Sequence, residues 1–234
     1  MEVPTKLDGT EIQSIIMYSL LLKAISFFGH PRRFLKSHSL IALSKIRITG
    51  NNILKTDHTI IRQCTISVSG NNNVVDLGQA DIFNSAISIS GTDTRLCIHD
   101  AARIYNMHII IKNSVGGYIE IGSSTHLGGG TIVCAGNNNY ITIGNNCMIA
   151  ENVEIWNSDT HVITYQGGYL NNDSPIQIHN HVWLGKGVTV LKGVVIGENA
   201  IVGMKSLVTK NINPNTINAG IPSKEIRDQV NWRK

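Results

Sequence analysis

Long helix-forming runs are scarce in this 234-residue chain. Its four cysteines, Cys64, Cys97, Cys134 and Cys147, lack the CxxC spacing of a metal or redox site, and they read as reduced small hydrophobes of a cytosolic protein. Strong charge is missing too. A formal net charge of +4 can help hold a phosphorylated cofactor or an anionic polymer, but it is too weak and too scattered to argue for nucleic acid, and no basic-aromatic motif accompanies it. Nor is there an apolar run of membrane-spanning length. The N-terminal stretch from Ile15 to Phe28 is interrupted by Ser19, Lys23 and Ser26. With Asp8 and Glu11 ahead of it, that stretch is not expected to act as a signal peptide. Followed by Arg32, Arg33 and Lys36, it reads either as a helix that caps the domain or packs in an oligomer, or as a basic amphipathic foot on a membrane surface. What is left is one sizeable domain with a continuous core.

That core is written in a period of six. Ile178, Leu184, Val190, Ile196, Val202 and Val208 are in register. Four positions after each stands Val182, Val188, Val194, Ala200, Ser206 or Ile212. Gly185, Gly197, Gly203 and Thr209 directly follow four of the six. Neither a helix (period 3.6) nor a simple strand (period 2) produces this grammar. A coil of three short strands and three corners does, which predicts an all-β, left-handed parallel β-helix. Upstream the register continues in triplets: Leu54, Ile60, Ile66; Leu77, Phe83, Ile89; Ile98, Ile104, Ile110; Ile121, Leu127, Val133; and Ile143, Ile149, Ile155.

Between triplets the chain inserts Asn- and Gly-rich pieces, at 70–73, 91–93, 116–117 and 136–139. Such residues suit tight corners, and the small loops are expected to line up along one edge. The largest interruption, from Asn157 to Pro175, is polar and contains His161; long loops on rigid repeats are where function concentrates. The ends of a solenoid need caps. Residues 1–45 are assigned to an N-terminal helical or capping segment, residues 46–213 to the β-helix with its loop at 157–177, and residues 214–234 to a C-terminal tail with a candidate helix at Glu225–Val230.

The segment Ser158-Asp159-Thr160-His161, the run from His181 to Lys210 and the run from Ile217 to Arg227 together resemble the hexapeptide-repeat acyltransferases that use acetyl-CoA. Within that superfamily they look most like the O-acetyltransferases of bacterial polysaccharides and sialic acids. The resemblance implies an enzyme that moves an acetyl group from acetyl-CoA to a hydroxyl of a bacterial glycan. It also implies a homotrimer with active sites between neighbouring prisms, located in the cytoplasm or at the inner face of the membrane. Neither a nucleic-acid partner nor a metal is expected. His161, His179 and His181 invite a zinc reading, since carbonic anhydrases of the same fold use three histidines, but the ligand spacing there is different.

The resemblance also assigns roles. His161 is the catalytic base, because an alcohol is a poor nucleophile and a neutral imidazole can take its proton. Asp159 is a candidate to orient that imidazole, as is Glu151. Trp183, expected to point outward, is the active-site aromatic for a sugar face or the pantetheine arm. Gly185, Lys186, Gly203, Met204, Thr209 and Lys210 are implied to line the acetyl-CoA groove, with Lys224 and Arg227 on the nucleotide phosphates. Met204 stands where relatives carry a small residue, and Lys224 where an arginine is common. Backbone N–H groups at the glycine corners, such as that of Gly185, are candidate oxyanion donors. N-acetylation of an amino sugar and a non-catalytic β-solenoid are the competing readings.

Overall fold

The computed structural model describes residues 34–169 and 173–233, which fall in one compact unit. The helix and membrane foot expected at Ile15–Phe28 lie outside the described residues. Among the described residues there is no helix, and none long and apolar enough to cross a membrane.

The chain winds as a parallel β-solenoid of about eight turns, each turn giving one strand to each of three faces. The first face runs from Phe34–Ser37 to Val195–Ile196 in eight parallel strands. The second runs from Leu40–Ala42 to Ile201–Val202 and continues into the tail. The third runs from Lys45–Ile48 to Leu207–Val208. At about 4.8 Å between neighbouring strands, eight coils stack to roughly 34 Å.

The core is made of ladders of like residues. On the third face Ile66, Ile87, Ile109, Ile132, Ile155, Val190 and Val208 pair in succession. On the second, Ile61, Ile82, Ile104, Leu127, Ile149, Leu184 and Val202 do the same. On the first, Leu54, Val75, Leu96, Ile119, Ile141 and Ile176 stack. All are buried. Parallel strands buried on their inner side favour such β-branched residues.

The hexad register is correct from Ile143 onward and slips in places before it. Ile60, Phe83 and Ile110 do not enter the core, and Val133 is buried but outside the central cluster; Ile61, Ile82, Ile109 and Ile132 take the inward positions. The reason is corner length. From second to third face the inward residues are five apart in the early coils (Ile61 to Ile66, Ile82 to Ile87, Ile104 to Ile109, Leu127 to Ile132) and six apart in Ile149 to Ile155 and Leu184 to Val190. One residue more or less at a corner inverts which side faces in. A coil with no hexad triplet also precedes Leu54: Phe34–Ser37, Leu40–Ala42 and Lys45–Ile48 pair in parallel with the coil above.

Three edges separate the faces. The loop edge, between third and first faces, collects the Asn- and Gly-rich insertions one above another, as Asn72 N→Asn51 O (2.7 Å), Asp93 N→Asn71 O (3.0 Å), Gly116 N→Thr92 O (3.0 Å) and Asn138 N→Val115 O (2.8 Å) show. Buried side chains complete it: Asn52 Oδ1 accepts from Asn73 N at 2.9 Å, and Asn73 Oδ1 from Thr94 N at 3.0 Å. These bonds satisfy backbone groups that corners would otherwise orphan. The glycine edge, between second and third faces, includes Gly185 and Gly203. The asparagine edge, between first and second faces, includes Asn145, Asn180 and Asn199.

The tail differs from expectation. Instead of a helix at Glu225–Val230, the strand Ser223–Arg227 turns back antiparallel on Ile217–Gly220. Ile217–Gly220 pairs with Ile201–Val202 on one side, so its other side presents open backbone groups, and the tail satisfies them.

Candidate active site

The excursion leaves the solenoid at the loop edge and is pinned where it leaves. Asn157 is fully buried; its Oδ1 accepts from Ala135 N at 2.8 Å, and its Nδ2 donates to Cys134 Sγ at 3.4 Å. The returning chain closes the neck, with Ser174 N→Asn157 O at 3.1 Å and Gly193 N→Ser174 O at 3.3 Å. Sequence reading passed over Asn157; the signal was a polar residue directly after Trp156 at an inward register, where the preceding coils put Cys134, Ile111 and Ile89. Burial pushes the Cys134 thiol up to about 12. The thiol at the foot of the loop is therefore neutral and no candidate for an acyl-accepting thiolate.

Beyond the neck, Thr160 N donates to Ser158 Oγ at 3.0 Å, with Thr160 at φ +60°. This turn sets His161 on the exposed side of the loop. Asp159, the candidate orienting acid, pairs with Lys192. Past His161 the loop forms a short antiparallel hairpin, Thr164–Tyr165 with Gly168–Tyr169. Val162 and Tyr165 on this arm are 71% and 56% exposed, an apolar surface on a projecting element.

The glycine edge carries Gly185, Lys186, Gly203 and Met204. Here glycine is compelled by the stack: a Cβ on Gly185 would stand 2.8 Å from Met204 N, and one on Gly203 2.8 Å from the Ala219 Cβ. The Gly185 N–H is not free for an oxyanion, because it donates to Val202 O at 2.8 Å; Gly203 N–H likewise serves Asn218 O at 2.8 Å. Lys186 Nζ lies 2.7 Å from Glu151 Oε2 and holds that carboxyl below the usual carboxylate range. Glu151 thus belongs to the glycine edge, apart from His161 in the same chain. Met204 is exposed, as are Ile221 and Ile226 of the tail hairpin, which also carries Lys224 and Arg227. Apolar side chains beside cations suit a long arm ending in phosphates. Ile221 and Ile226 were missed because the tail lies beyond the hexad pattern.

Trp183 lies on the outer side of the second face, 40% exposed, with Leu184 pointing in. The tail supplies an unforeseen neighbour. Trp232 stacks on His181, with ring centroids 4.2 Å apart and planes 3° from parallel, and donates through Nε1 to His181 O at 2.8 Å. Its ring is 6.0 Å from that of Trp183. His181 Nδ1 is 2.8 Å from Asn199 Oδ1, so His181 is committed to a structural cluster and not gathered with His161.

Within one chain the sequence-assigned residues therefore fall in two groups. Gly185, Lys186, Gly203 and Met204 occupy the glycine edge, with Lys224 and Arg227 on the tail hairpin that follows it. Thr209 and Lys210 follow the strand Leu207–Val208 and so lie at the loop edge, as do Asp159 and His161. From Met204 to Thr209 the third face intervenes, roughly 15 Å at about 3.3 Å per residue.

The family model "Bacterial transferase hexapeptide (six repeats)" matches residues 175–210. The polysialic acid O-acetyltransferase of Neisseria meningitidis is 35% identical over 147 residues, covering 61% of this chain and 67% of the relative. The galactoside O-acetyltransferase of Escherichia coli K12 is 37% identical over 120 residues, 47% of this chain and 57% of the relative. A putative acetyltransferase of Schizosaccharomyces pombe is 44% identical over 89 residues, 37% and 42% of the two chains. The last two matches span less than two thirds of those relatives. A solved structure of the polysialic acid O-acetyltransferase OatWY superposes with a TM-score of 0.70 at 31% identity, over 84% of this chain and 90% of that one. With the coil, the excursion and this coverage together, the chain belongs to the hexapeptide-repeat acetyltransferases.

Proposed function

We propose that the protein is an O-acetyltransferase that moves an acetyl group from acetyl-CoA to a hydroxyl of a bacterial glycan, with a left-handed coil and a homotrimeric, cytoplasmic assembly. The observation that carries this reading is the likeness to a polysialic acid O-acetyltransferase over 90% of that protein's chain. Acetyl-CoA supplies an acetyl group activated as a thioester. The apolar and cationic side chains of the glycine edge and tail hairpin, Met204, Ile221, Ile226, Lys186, Lys224 and Arg227, hold its arm and phosphates. The His161 imidazole accepts the proton of the sugar hydroxyl as the oxygen attacks, and returns a proton to the departing thiolate. Trp183 offers an exposed indole face to the sugar or the pantetheine arm.

The split of these residues over two edges supports a site between copies: the loop of one chain brings His161 to the glycine edge of the next. The exposed Val162 and Tyr165 give the loop an apolar surface with which to dock there. The test is acetyl-CoA-dependent thiol release with oligosialic acid and galactosides as acceptors, followed by mild base. Release of thiol and formation of a base-labile ester are expected. A base-stable amide, or no turnover with any glycan, contradicts the proposal.

A further inference from the structure

The first face carries a polar trough that no step above uses. His99, Gly122, Gly144 and His179 occupy equivalent positions in four successive coils, each donating its N–H to the coil above. With no side chain at the two middle positions, a cavity of about 620 Å³ opens between the histidines. Three coil steps put them roughly 14 Å apart along the solenoid axis. The glycines are kept by the stack, since a Cβ on Gly144 would stand 2.7 Å from Asn180 N. The trough is thus a permanent feature of the face.

Its walls are hydrogen-bonding groups already fixed by one another. Glu120 Oε1 is 2.8 Å from His99 Nε2, and Gln177 Nε2 donates to Tyr140 Oη at 2.7 Å. These bonds leave Glu120 Oε2 and Gln177 Oε1 as oriented acceptors, beside the Thr142 hydroxyl. Asn145 and Asn180 spend their Oδ1 atoms on the backbone N–H groups of Ser123 and Asn145, at 2.8 Å each, which turns their amide NH₂ groups outward as donors. No lysine or arginine lines this cavity, so it is not built for phosphates. It is not apolar either. A smaller cavity of about 280 Å³ adjoins it through Glu120 and adds Arg95 and Tyr118, the latter stacked on Tyr140 with centroids 4.9 Å apart. Paired acceptors and donors at a fixed spacing, bordered by aromatic rings, match the hydroxyl edges and apolar faces of sugars.

We propose that the first face is a saccharide-binding surface, distinct from the acetyl-transfer site, that holds a neighbouring stretch of a glycan chain through its hydroxyls, with Arg95 available to a sugar carboxylate. The strand Ile176–Ile178, which supplies Gln177, re-enters the solenoid directly from the excursion that carries His161. The smaller cavity, lined by Asp93, Gly116 and Gly117 of the loop-edge insertions, carries this surface across the face to the loop edge. The choice of sugars to test rests on the glycan-acetyltransferase reading; the surface itself does not.

The test is binding of α2,8-linked tetrasialic acid and of maltotetraose to the full-length protein, without acetyl-CoA, by titration calorimetry. At least one tetrasaccharide is expected to bind, and Thr142→Trp, which fills the trough, to weaken it by about tenfold or more. Glu120→Gln should give a smaller loss, with acetyl-CoA affinity and monosaccharide turnover unchanged in both variants. Preference for the sialic acid tetramer would assign Arg95 its carboxylate; preference for maltotetraose would assign recognition to hydroxyls alone. The proposal is overturned if neither tetrasaccharide binds, if Thr142→Trp binds as wild type, or if cross-linking shows a second copy sealing this face. Sugar binding without acetyl transfer would instead count against the proposed function and leave this surface standing.

Discussion

The loop edge and the glycine edge reach function by opposite means. At the loop edge the proposed base, His161, is carried off the coil on a neck held by Asn157. At the glycine edge the surface is the coil, and Gly185 and Gly203 are glycine because the next turn leaves no room for more. One edge can lose its chemistry and keep its fold, whereas the other cannot be altered at its glycines without straining the stack.

The largest expected effect separates the two most sharply. His161→Ala should lower kcat by roughly 10²- to 10⁴-fold, the usual worth of a positioned base, with thermal stability and acetyl-CoA affinity unchanged. An equal fall in melting temperature would mean that the loop edge is structural after all. Gly185→Val should do the reverse, costing about 1–3 kcal/mol of stability by overpacking against Met204. Urea unfolding measures this, and a stable variant with lost cofactor affinity would reassign Gly185 to the ligand.

Asn157→Ala blurs the comparison on purpose. It orphans the buried Ala135 N–H, at a cost of about 1–3 kcal/mol, and loosens the neck. Turnover should fall while acetyl-CoA binding persists. The last effect is a slope confined to alkaline pH, with no change near neutrality. The Cys134 thiol is raised to about 12 in the fold from an ordinary 9.0. The unfolded chain therefore loses this proton first, and the stabilisation is complete below pH 9 and lost as pH rises toward 12. Cys134→Ala should flatten that fall relative to wild type, and identical slopes would show that the thiol is not the titrating group.

The period of six made the solenoid, its aligned loops and the excursion legible, because burying one side chain per short strand leaves a direct trace in sequence. It read Trp183 as outward and Leu184 as inward correctly. It failed where corners departed from the hexad: Phe83 gave way to Ile82, and Ile110 to Ile109, since a corner residue more or less inverts strand parity. The tail was illegible for a different cause. Ser223–Arg227 is a strand because an open sheet edge lies beside it, and Trp232 is buried because His181 lies across the asparagine edge. Both facts are tertiary, and no local pattern encodes them. Among the proposed site residues, resemblance found the types, but only the fold divides Gly185 and Met204 from Thr209 and His161.

That division carries the central claim: a complete site needs the loop edge of one copy and the glycine edge of another. Subunit mixing tests it directly. His161→Ala protein and a Lys186→Glu/Arg227→Glu protein, each inactive alone, are unfolded, mixed in equal amounts and refolded together. Random assembly of a cyclic oligomer makes about a quarter of the interfaces intact, so about a quarter of wild-type activity should return. If mixed oligomers form and no activity returns, the site lies within one chain and the account is wrong.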